Sequence, residues 1–355
     1  MLREVKMKKK IAIIVFISLF IFATFIFWYV NFNILQRETS AKNLVNIEDM
    51  DGRLVKIPEK INRTVVLSGG VVELMCIWGI GNKLVGTTSF IKNHPVIGKL
   101  IGNNNVTDVG FSSSNIDVEK IISLKPDLVI AYNPKFYGSS TYKNEIQQIE
   151  NKGIPVIYIY VRSLPEFYKL ILLIGRIFNL TTPANSTISY VQSLMNLVKN
   201  ESSNIPESKR VKVLFLYGSP TVVQTVQGDA SFINDLIENA GGENVIKNSG
   251  QEFVKASFKD IASWNPDVIV IWSYPSEFSP EYLMNISDLS NVSAIKYGRV
   301  YKQPESLDGS IWTIRSALFD AWLLKVFYKN TSINFTKIAN DFSRRFYNFS
   351  LDINF

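Results

Sequence analysis

The feature that most constrains the fold of this chain is a block that occurs twice, 140 residues apart. The first copy, Glu119 to Ile130, reads EKIISLKPDLVI, and the second, Lys259 to Val270, reads KDIASWNPDVIV. Each copy predicts a helix, a break at a proline, and then a short apolar strand of the kind that lies inside a parallel sheet. Because one copy lies in each part of the 355-residue chain, the sequence predicts two similar α/β halves.

Strand-like and helix-like segments alternate on both sides of one long helical stretch, Thr182 to Ser203. That stretch begins with Thr182-Pro183, and a proline in the first turn is typical of a helix start. The expected strands are Thr64–Leu67, Leu84–Thr87, Asp127–Ala131, Ile154–Val161 and Val211–Leu216, and the expected shorter helices are Val71–Trp78, Ile116–Leu124 and Tyr142–Asn151. The predicted fold is α/β: two Rossmann-like lobes with parallel sheets, joined by one long α-helix, with an N-terminal transmembrane helix in front.

The N-terminus carries an unbroken apolar run from Ile11 to Val30, IAIIVFISLFIFATFIFWYV. Its length matches a membrane span, basic residues precede it, and aromatic rings stand at its far end. This pattern predicts a single-pass anchor, with the body on the extracytoplasmic side. A cleaved signal peptide is the alternative, although no small-x-small site follows the run. We expect an anchor or signal over residues 1–33, a tether over 34–43, an N-terminal lobe over 44–181, a linker helix over 182–203 and a C-terminal lobe over 204–355.

Charge and residue counts exclude several classes of protein. The net charge is +7, but the first ten residues contribute +4 of it, so the body lacks the strongly basic face of a nucleic-acid-binding protein. Cys76 is the only cysteine, which excludes an intrachain disulfide and makes a lipid anchor near the N-terminus untenable. His94 is the only histidine, so a histidine-rich metal site cannot form. We interpret Cys76 as a small buried residue. We interpret His94 as an exposed loop residue, with contact to the ligand or an axial bond to its metal as the alternative.

Glycosylation is a further expectation. Asn-x-Ser/Thr sequons occur at Asn62, Asn105, Asn179, Asn185, Asn200, Asn285, Asn291, Asn330, Asn334 and Asn348. In an exported body these sequons indicate a surface glycoprotein, although a chain rich in asparagine and serine produces several of them by composition alone.

Several phrases, in their order and spacing, resemble the solute-binding proteins that capture iron-siderophores, haem and cobalamin for ABC importers. The phrases are DGRLVKIPEKINRTVVLSGGVVELMCIWGIGNKLVGTTS (Asp51–Ser89), IDVEKIISLKPDLVIA (Ile116–Ala131), SFINDLIENAGGENVI (Ser231–Ile246) and AIKYGRVYKQP (Ala294–Pro304). The resemblance runs from about Leu44 to Tyr347. It implies two lobes joined by a rigid helix, a ligand in the cleft between them, and partners in a permease and an ATPase, with no enzyme activity. We expect a monomer without a cofactor, a protein-held metal ion or a nucleic-acid partner.

In this family an acidic residue on each lobe docks onto arginines of the permease. The resemblance places the first at Glu119 and the second at Lys259, where a lysine breaks the pattern. The neighbouring Asp260 is therefore the expected second contact. For Glu119 the alternative is an ordinary solvated position on a helix.

Candidate ligand-binding residues were sought after the strands, because ligands of open α/β sheets bind outside the carboxyl ends of the strands. The resemblance adds a late cleft segment, SLDGSIWTIR. The candidates are Ser68, Gly69, Phe90, Tyr132, Tyr137, Arg162, Tyr217, Trp272, Tyr274, Trp312 and Arg315. Aromatic rings with a few cations suit a large, flat or greasy ligand with an acidic periphery, such as a ferric siderophore, haem or a corrinoid. For each ring the alternative is core packing, and for each arginine it is a surface salt bridge.

Two other functions stay open on the same scaffold. One is a surface sensor or interaction protein, which the lysine at position 259 favours. The other is a tetrapyrrole metal chelatase, for which a single histidine is a poor starting set.

Overall fold

The computed structural model of the protein describes residues 43–112, 115–217, 223–273, 279–308 and 312–353, together with Thr24 and Ile26. Its contacts divide the chain into two units. The small unit comprises Met1–Val45 and Pro58–Lys60, and in it Asn43 and Glu59 form hydrogen bonds through both backbone and side chains. The large unit comprises Asn46–Ile57 and Ile61–Phe355 and contains both main sheets.

The predicted membrane anchor, residues 11–30, lies outside the described residues except for Thr24 and Ile26, which are helical. Within the described ranges, no helix combines the length and the apolar character that a bilayer span needs.

The N-terminal half is built on a parallel sheet. Its strands are β1 (Leu44–Glu48), β2 (Leu54–Pro58), β3 (Thr64–Val66), β4 (Leu84–Thr87), β5 (Thr107–Asp108), β6 (Gly110–Ser112), β7 (Asn115–Ile116), β8 (Leu128–Tyr132) and β9 (Val156–Ile159). Five of them form the main sheet in the order β5-β4-β3-β8-β9, with every pair parallel, as predicted. The pairs β1-β2 and β6-β7 form separate two-stranded sheets.

Helices connect these strands and cover the sheet. They are α1 (Gly69–Ile77), α2 (Ser89–Lys92), α3 (Ile97–Ile101), α4 (Val118–Ser123), α5 (Ser140–Asn151), α6 (Leu164–Ile177) and α7 (Thr181–Ser202). Since helices lie on both faces, β8 is buried along its whole length, as its apolar sequence predicts.

The C-terminal half contains a mixed sheet, so the prediction of a second fully parallel sheet is wrong. Its strands are β10 (Lys212–Leu216), β11 (Val223–Gln227), β12 (Glu243–Asn244), β13 (Phe253–Ser257), β14 (Val268–Ile271) and β15 (Val300–Lys302). The order is β13-β11-β10-β14-β15, with β12 also paired to β10. Strands β10, β12, β14 and β15 pair in parallel, whereas β11 pairs antiparallel with β10 and with β13. The helices of this half are α8 (Phe232–Asn239), α9 (Phe258–Trp264), α10 (Pro280–Met284), α11 (Ser293–Lys296), α12 (Ser316–Phe327) and α13 (Phe335–Phe346).

Helix α7 matches the predicted linker helix to within one residue at each end. Its apolar residues, Val191, Leu194, Met195 and Val198 among them, face inward, and α7 packs against α6 of the N-terminal half and α12 of the C-terminal half. One hydrophobic core therefore runs from the N-terminal sheet through α7 to one face of the C-terminal sheet. Leu214 and Leu216 point to the other face, where they join a second core.

The repeated Pro-Asp block has the same structural role in both halves. Asp127 accepts hydrogen bonds from the backbone N–H groups of Asn62 and Arg63, at 2.9 and 3.0 Å, just before β3. Asp267 accepts one from the backbone N–H of Lys212 in β10, at 2.9 Å. In each half the aspartate holds the start of the neighbouring parallel strand, which explains why proline and aspartate recur together.

Candidate ligand-binding site

Aromatic rings from both halves meet at the carboxyl ends of the main strands. Tyr132, the last residue of β8, lies with its ring centre 4.4 Å from that of Tyr137 and 5.1 Å from that of Trp312 in the C-terminal half. The contact with Trp312 is edge to face, a favourable arrangement for two rings. Three residues that sequence reasoning selected separately are thus neighbours.

The C-terminal half adds a stacked pair directly after β10 and β14. The rings of Tyr217 and Trp272 lie 4.1 Å apart and nearly parallel, at 12°. The indole Nε1 of Trp272 donates to Asp308 Oδ1 at 3.1 Å, which fixes the plane of the pair. Burial raises the pKa of Tyr217 well above its usual value, and Tyr137 of the N-terminal half adds to this effect.

Tyr160 and Glu252 connect the halves at the rim of this site, and sequence reasoning missed both. The hydroxyl of Tyr160 donates to a carboxylate oxygen of Glu252, and the ring of Tyr160 lies 5.7 Å from Trp312. Phe136, half exposed, stacks on Tyr160 at 4.7 Å. Burial, followed by the hydrogen bond to Glu252, raises the pKa of Tyr160. Tyr160 falls at the end of the predicted strand IPVIYIYV, and that position was the available signal.

Arg162 lies at the same rim and is exposed. Its guanidinium carbon lies 5.4 Å from the ring centre of Phe136 and 5.6 Å from that of Tyr160. Its backbone N–H donates to Glu166 Oε2 at 2.7 Å. The side chain is therefore a cation presented over aromatic faces, beside the aromatic cluster.

Arg315, the other candidate cation, is fully buried in an ion pair inside the fold. Its Nε lies 3.3 Å from Glu73 Oε2 of α1, and its Nη1 donates to the carbonyl of Ser306 at 2.9 Å. The hydroxyl of Tyr347 donates to the other oxygen of Glu73. The alternative that the sequence left open was a salt bridge, but the pair is buried rather than on the surface. This placement does not favour contact between Arg315 and a ligand.

The remaining candidates do not share one environment. Ser68 and Gly69 stand at the start of α1 and are buried. Phe90, in α2, packs against the core of the N-terminal half. Tyr274 lies outside the described residues.

The prediction that His94 is an exposed loop residue is wrong. Its ring is 8% exposed, and Nδ1 accepts hydrogen bonds from the backbone N–H groups of Val96 and Ile97, at 3.2 and 3.3 Å. Burial and the nearby charge of Arg315 lower the pKa of His94 to about 2, so the ring is neutral. Within the ranges that the structure describes, no group of three or more His, Cys, Asp or Glu side chains could hold a metal ion.

Comparison with known proteins gives the family. A family model described as periplasmic binding protein matches residues 64–307, the part that contains both main sheets and the aromatic cluster apart from Trp312. The chain belongs to the periplasmic binding protein family. The resemblance found in the sequence is thereby confirmed, and the chain is a solute-binding protein of an ABC importer and not an enzyme. The chelatase alternative falls with this assignment.

Individual relatives agree with the family. The molybdate-binding protein MolA of Haemophilus influenzae is 25% identical over 334 residues, covering 85% of this chain and 90% of MolA. The high-affinity heme uptake system protein IsdE of Staphylococcus aureus is 30% identical over 226 residues, covering 60% of this chain and 72% of IsdE. The solved structure of MolA bound to molybdate superposes with a TM-score of 0.73 at 23% identity, covering 87% of this chain and all of that one. At that identity the structural likeness concerns the fold alone.

The two predicted docking residues of this periplasmic binding protein lie on equivalent helices. Helix α4 begins at Asp117, whose side chain accepts from the N–H of the third residue after it, and α9 begins in the same way at Ser257. Aligning these caps places Glu119 opposite Lys259. Glu119 and Asp260 are both exposed.

Asp260 has a second task that Glu119 lacks. Its carboxylate accepts hydrogen bonds from the backbone N–H and the hydroxyl of Ser257, at 2.8 and 2.6 Å, which completes a capping box. These bonds lower the pKa of Asp260, so it is ionised at neutral pH. It also lies one residue further around its helix than Glu119 does on α4, about 100° away.

Proposed function

We propose that this protein captures a bulky, flat or aromatic metal chelate between its two halves and delivers it to an ABC permease. The observation that carries the proposal is the convergence of rings from both halves, above all Tyr132 and Tyr137 with Trp312, and Tyr217 with Trp272. Such rings bury large apolar or π surfaces on a ligand at low entropic cost. Haem, ferric siderophores with aromatic groups, and corrinoids have this surface.

A small oxyanion is the second ligand class that the relatives suggest, because MolA is named as a molybdate-binding protein. An oxyanion needs several N–H donors or cations around it. Here Ser68 and Gly69 are buried, and the guanidinium of Arg315 is paired with Glu73. The heme relative IsdE is the better guide to ligand size, and the aromatic chelate is the class we propose.

The proposal is tested by titrating the purified protein with haem, ferric siderophores, cobalamin and molybdate while tryptophan fluorescence is recorded. One chelate should bind with a dissociation constant of about 1 μM or tighter, on the order of −8 kcal/mol. Trp272→Leu should weaken that binding by about tenfold or more. Trp264→Leu is the matched control, because Trp264 packs against the second core away from the cluster and should leave affinity unchanged. Tight molybdate binding with no chelate bound would refute the proposal.

We also propose that Glu119 contacts the permease and that Asp260 makes a weaker second contact. Charge complementarity on each half would orient the protein over its partner. Glu119→Lys should abolish ligand-dependent ATP hydrolysis by the reconstituted transporter, whereas Asp260→Asn should reduce it partially. Equal activity of Glu119→Lys and wild type would remove this contact and would favour the sensor alternative.

The extracytoplasmic location and the glycans belong to the same proposal. All ten sequon asparagines are exposed. None of them lies in the loops after β8, β9, β10 or β14 that carry the aromatic cluster. Mass spectrometry of the protein isolated from its native membrane should find hexose-bearing peptides at several sequons; unmodified peptides covering all ten would refute glycosylation.

A further inference from the structure

A concave surface lies next to the aromatic site, within the N-terminal half. It is a groove of about 520 Å³ between the β1–β2 turn and helix α6. Its lining residues are Glu48, Asp49, Met50, Asp51, Gly52, Phe136, Tyr160, Arg162, Glu166, Lys169, Leu173 and Arg176. Phe136 and Tyr160 belong to the rim of the aromatic site as well, so the groove continues from that site.

One wall of the groove is a row of three exposed cations, Arg162, Lys169 and Arg176. Lys169 and Arg176 are seven residues apart on α6, which places them on one face about 10.5 Å apart along the axis. Arg162 precedes the helix and extends the row toward the aromatic site. Within the described part of the chain, none of the three lies within 4 Å of a carboxylate oxygen.

The opposite wall carries carboxylates that are already neutralised. Asp49 lies 2.9 Å from Arg53, and Asp51 lies 2.7 Å from Lys135, whose hydrogen bond lowers the pKa of Asp51. These two acids do not compete for the cations of the other wall.

Two further acids face the groove. Glu166 accepts the backbone N–H of Arg162, and Glu48 lies exposed at the margin. Glu252, which accepts a hydrogen bond from the Tyr160 hydroxyl, is a third acid near Arg162, so three acids stand against three cations, and the unpaired positive charge of the groove lies at Lys169 and Arg176. Lys169 and Arg176 lie about 10.5 Å apart along the helix axis, so the groove suits a ligand with more than one negative group.

We propose that this groove is a subsite for carboxylate groups carried by the ligand of the aromatic site. The inference rests on the proposed function, because it assigns the ligand's rings to the aromatic cluster and its acidic arms to α6. The groove narrows the expected ligand to chelates that bear two or more carboxylates and excludes chelates without carboxylates. It also supplies the positive charge that the ion-paired Arg315 does not offer.

A first experiment tests the groove without the aromatic site. Citrate, a tricarboxylate with no aromatic surface, is titrated into the full-length protein in detergent at constant ionic strength, and binding is followed by calorimetry. Saturable binding in the millimolar range is expected. Lys169→Gln/Arg176→Gln should weaken it about tenfold. The matched control is Lys143→Gln/Lys152→Gln, which removes the same charge from exposed positions on and after α5 and should have no effect.

A second experiment links the groove to the ligand, with haem and haem dimethyl ester as a matched pair. The Lys169→Gln/Arg176→Gln change should weaken haem binding about tenfold relative to wild type and leave the ester unaffected, since only the free acid carries carboxylates. The detergent concentration is the same for every variant, so partition of haem or its ester into micelles affects all variants equally.

The outcomes separate the two proposals. The subsite is refuted if citrate shows no saturable binding. It is also refuted if the groove variant and the control variant lose citrate affinity equally. Equal loss for haem and its ester refutes recognition of carboxylates while leaving chelate capture intact. Citrate binding in the groove without binding of any chelate refutes the proposed function and the link to it, but not the anion-binding groove.

Discussion

The buried ion pair between Glu73 and Arg315 offers the sharpest test of how the two halves are held together. Both side chains are 0% exposed, and they come from α1 and from the segment before α12, 242 residues apart. Arg315→Met keeps much of the side-chain volume but removes the cation. It leaves the Tyr347 hydroxyl as the remaining hydrogen-bond partner of the Glu73 carboxylate among the described residues. Removing one partner of a buried pair costs about 3–5 kcal/mol, because the other charge stays buried.

The pKa of Glu73 also predicts how the stability loss of Arg315→Met depends on pH. Burial raises the pKa of Glu73 above 4.5, although Arg315 and Tyr347 oppose the shift. A carboxyl that binds its proton more tightly when folded favours the folded state at low pH. The free energy of unfolding therefore falls as pH rises above the unfolded pKa toward the folded one. Arg315→Met removes the larger opposing influence and raises the pKa of Glu73 further, so its deficit should be greater at pH 7 than at pH 5.

The assay is denaturant unfolding of wild type and variants at both pH values, with equal slopes required for the comparison. Glu73→Gln/Arg315→Met removes both charges and should recover most of the loss, to within about 1–2 kcal/mol of wild type. Lys120→Met is the control, because its pair with Asp117 is 3.9 Å long and exposed, and it should cost less than about 1 kcal/mol. If Arg315→Met costs no more than this control, or if the double variant is as unstable as the single one, the reasoning is refuted.

Three further predictions use single residues. The one histidine signal in the proton NMR spectrum, from His94, should not shift between pH 5 and 8; a midpoint near 6.5 would contradict its burial. Asp267→Ala leaves the Lys212 N–H without its side-chain acceptor and should lower the free energy of unfolding by about 1–3 kcal/mol in denaturant melts. Ser257→Ala removes the cap of α9 and should cost about 1 kcal/mol in the same assay, while Ser263→Ala, on the exposed side of that helix, should cost less.

Local sequence patterns predicted the parallel parts of the fold well. Leu84–Thr87 was predicted as a strand with the bounds that the structure has, and the predicted strand Asp127–Ala131 differs by one residue at each end from β8. β8 is a short apolar run between Pro126 and Pro134, so its own residues define it. Helix α6 was missed, although Ser163 caps it and a proline follows in its first turn.

The antiparallel strands of the C-terminal half could not be predicted in the same way. The direction of β11 is set by its pairing with β13, which lies about thirty residues away, and with β10. Nothing in the pattern VQTVQ distinguishes a strand that runs with its neighbour from one that runs against it. The repeated block led to the expectation of two parallel sheets. It includes β8 in the first half and β14 in the second, and both of these strands do pair in parallel with a neighbour.

In the candidate site as well, residues placed by local sequence patterns were predicted, and residues placed by contacts distant in sequence were not. The ends of buried strands located Tyr132, Tyr217 and Trp272, because ring positions at strand ends follow from the order of elements along the chain. Glu252, the partner of Tyr160, was missed because a hydrogen bond over 92 residues leaves no local pattern.

Arg162 and Arg315 looked alike in the sequence, as cations after apolar segments, and their partners separate them. Arg315 is buried against Glu73, so its charge is balanced inside the protein, whereas Arg162 lies over exposed rings at the rim. The aromatic surface thus comes from both halves, while the exposed cations that line the groove, Arg162, Lys169 and Arg176, all come from the N-terminal half. A ligand with rings on one side and acids on the other can satisfy this arrangement in one orientation only. The asymmetry predicts that carboxylates direct how the chelate is held, and that its neutral face meets Tyr217 and Trp272.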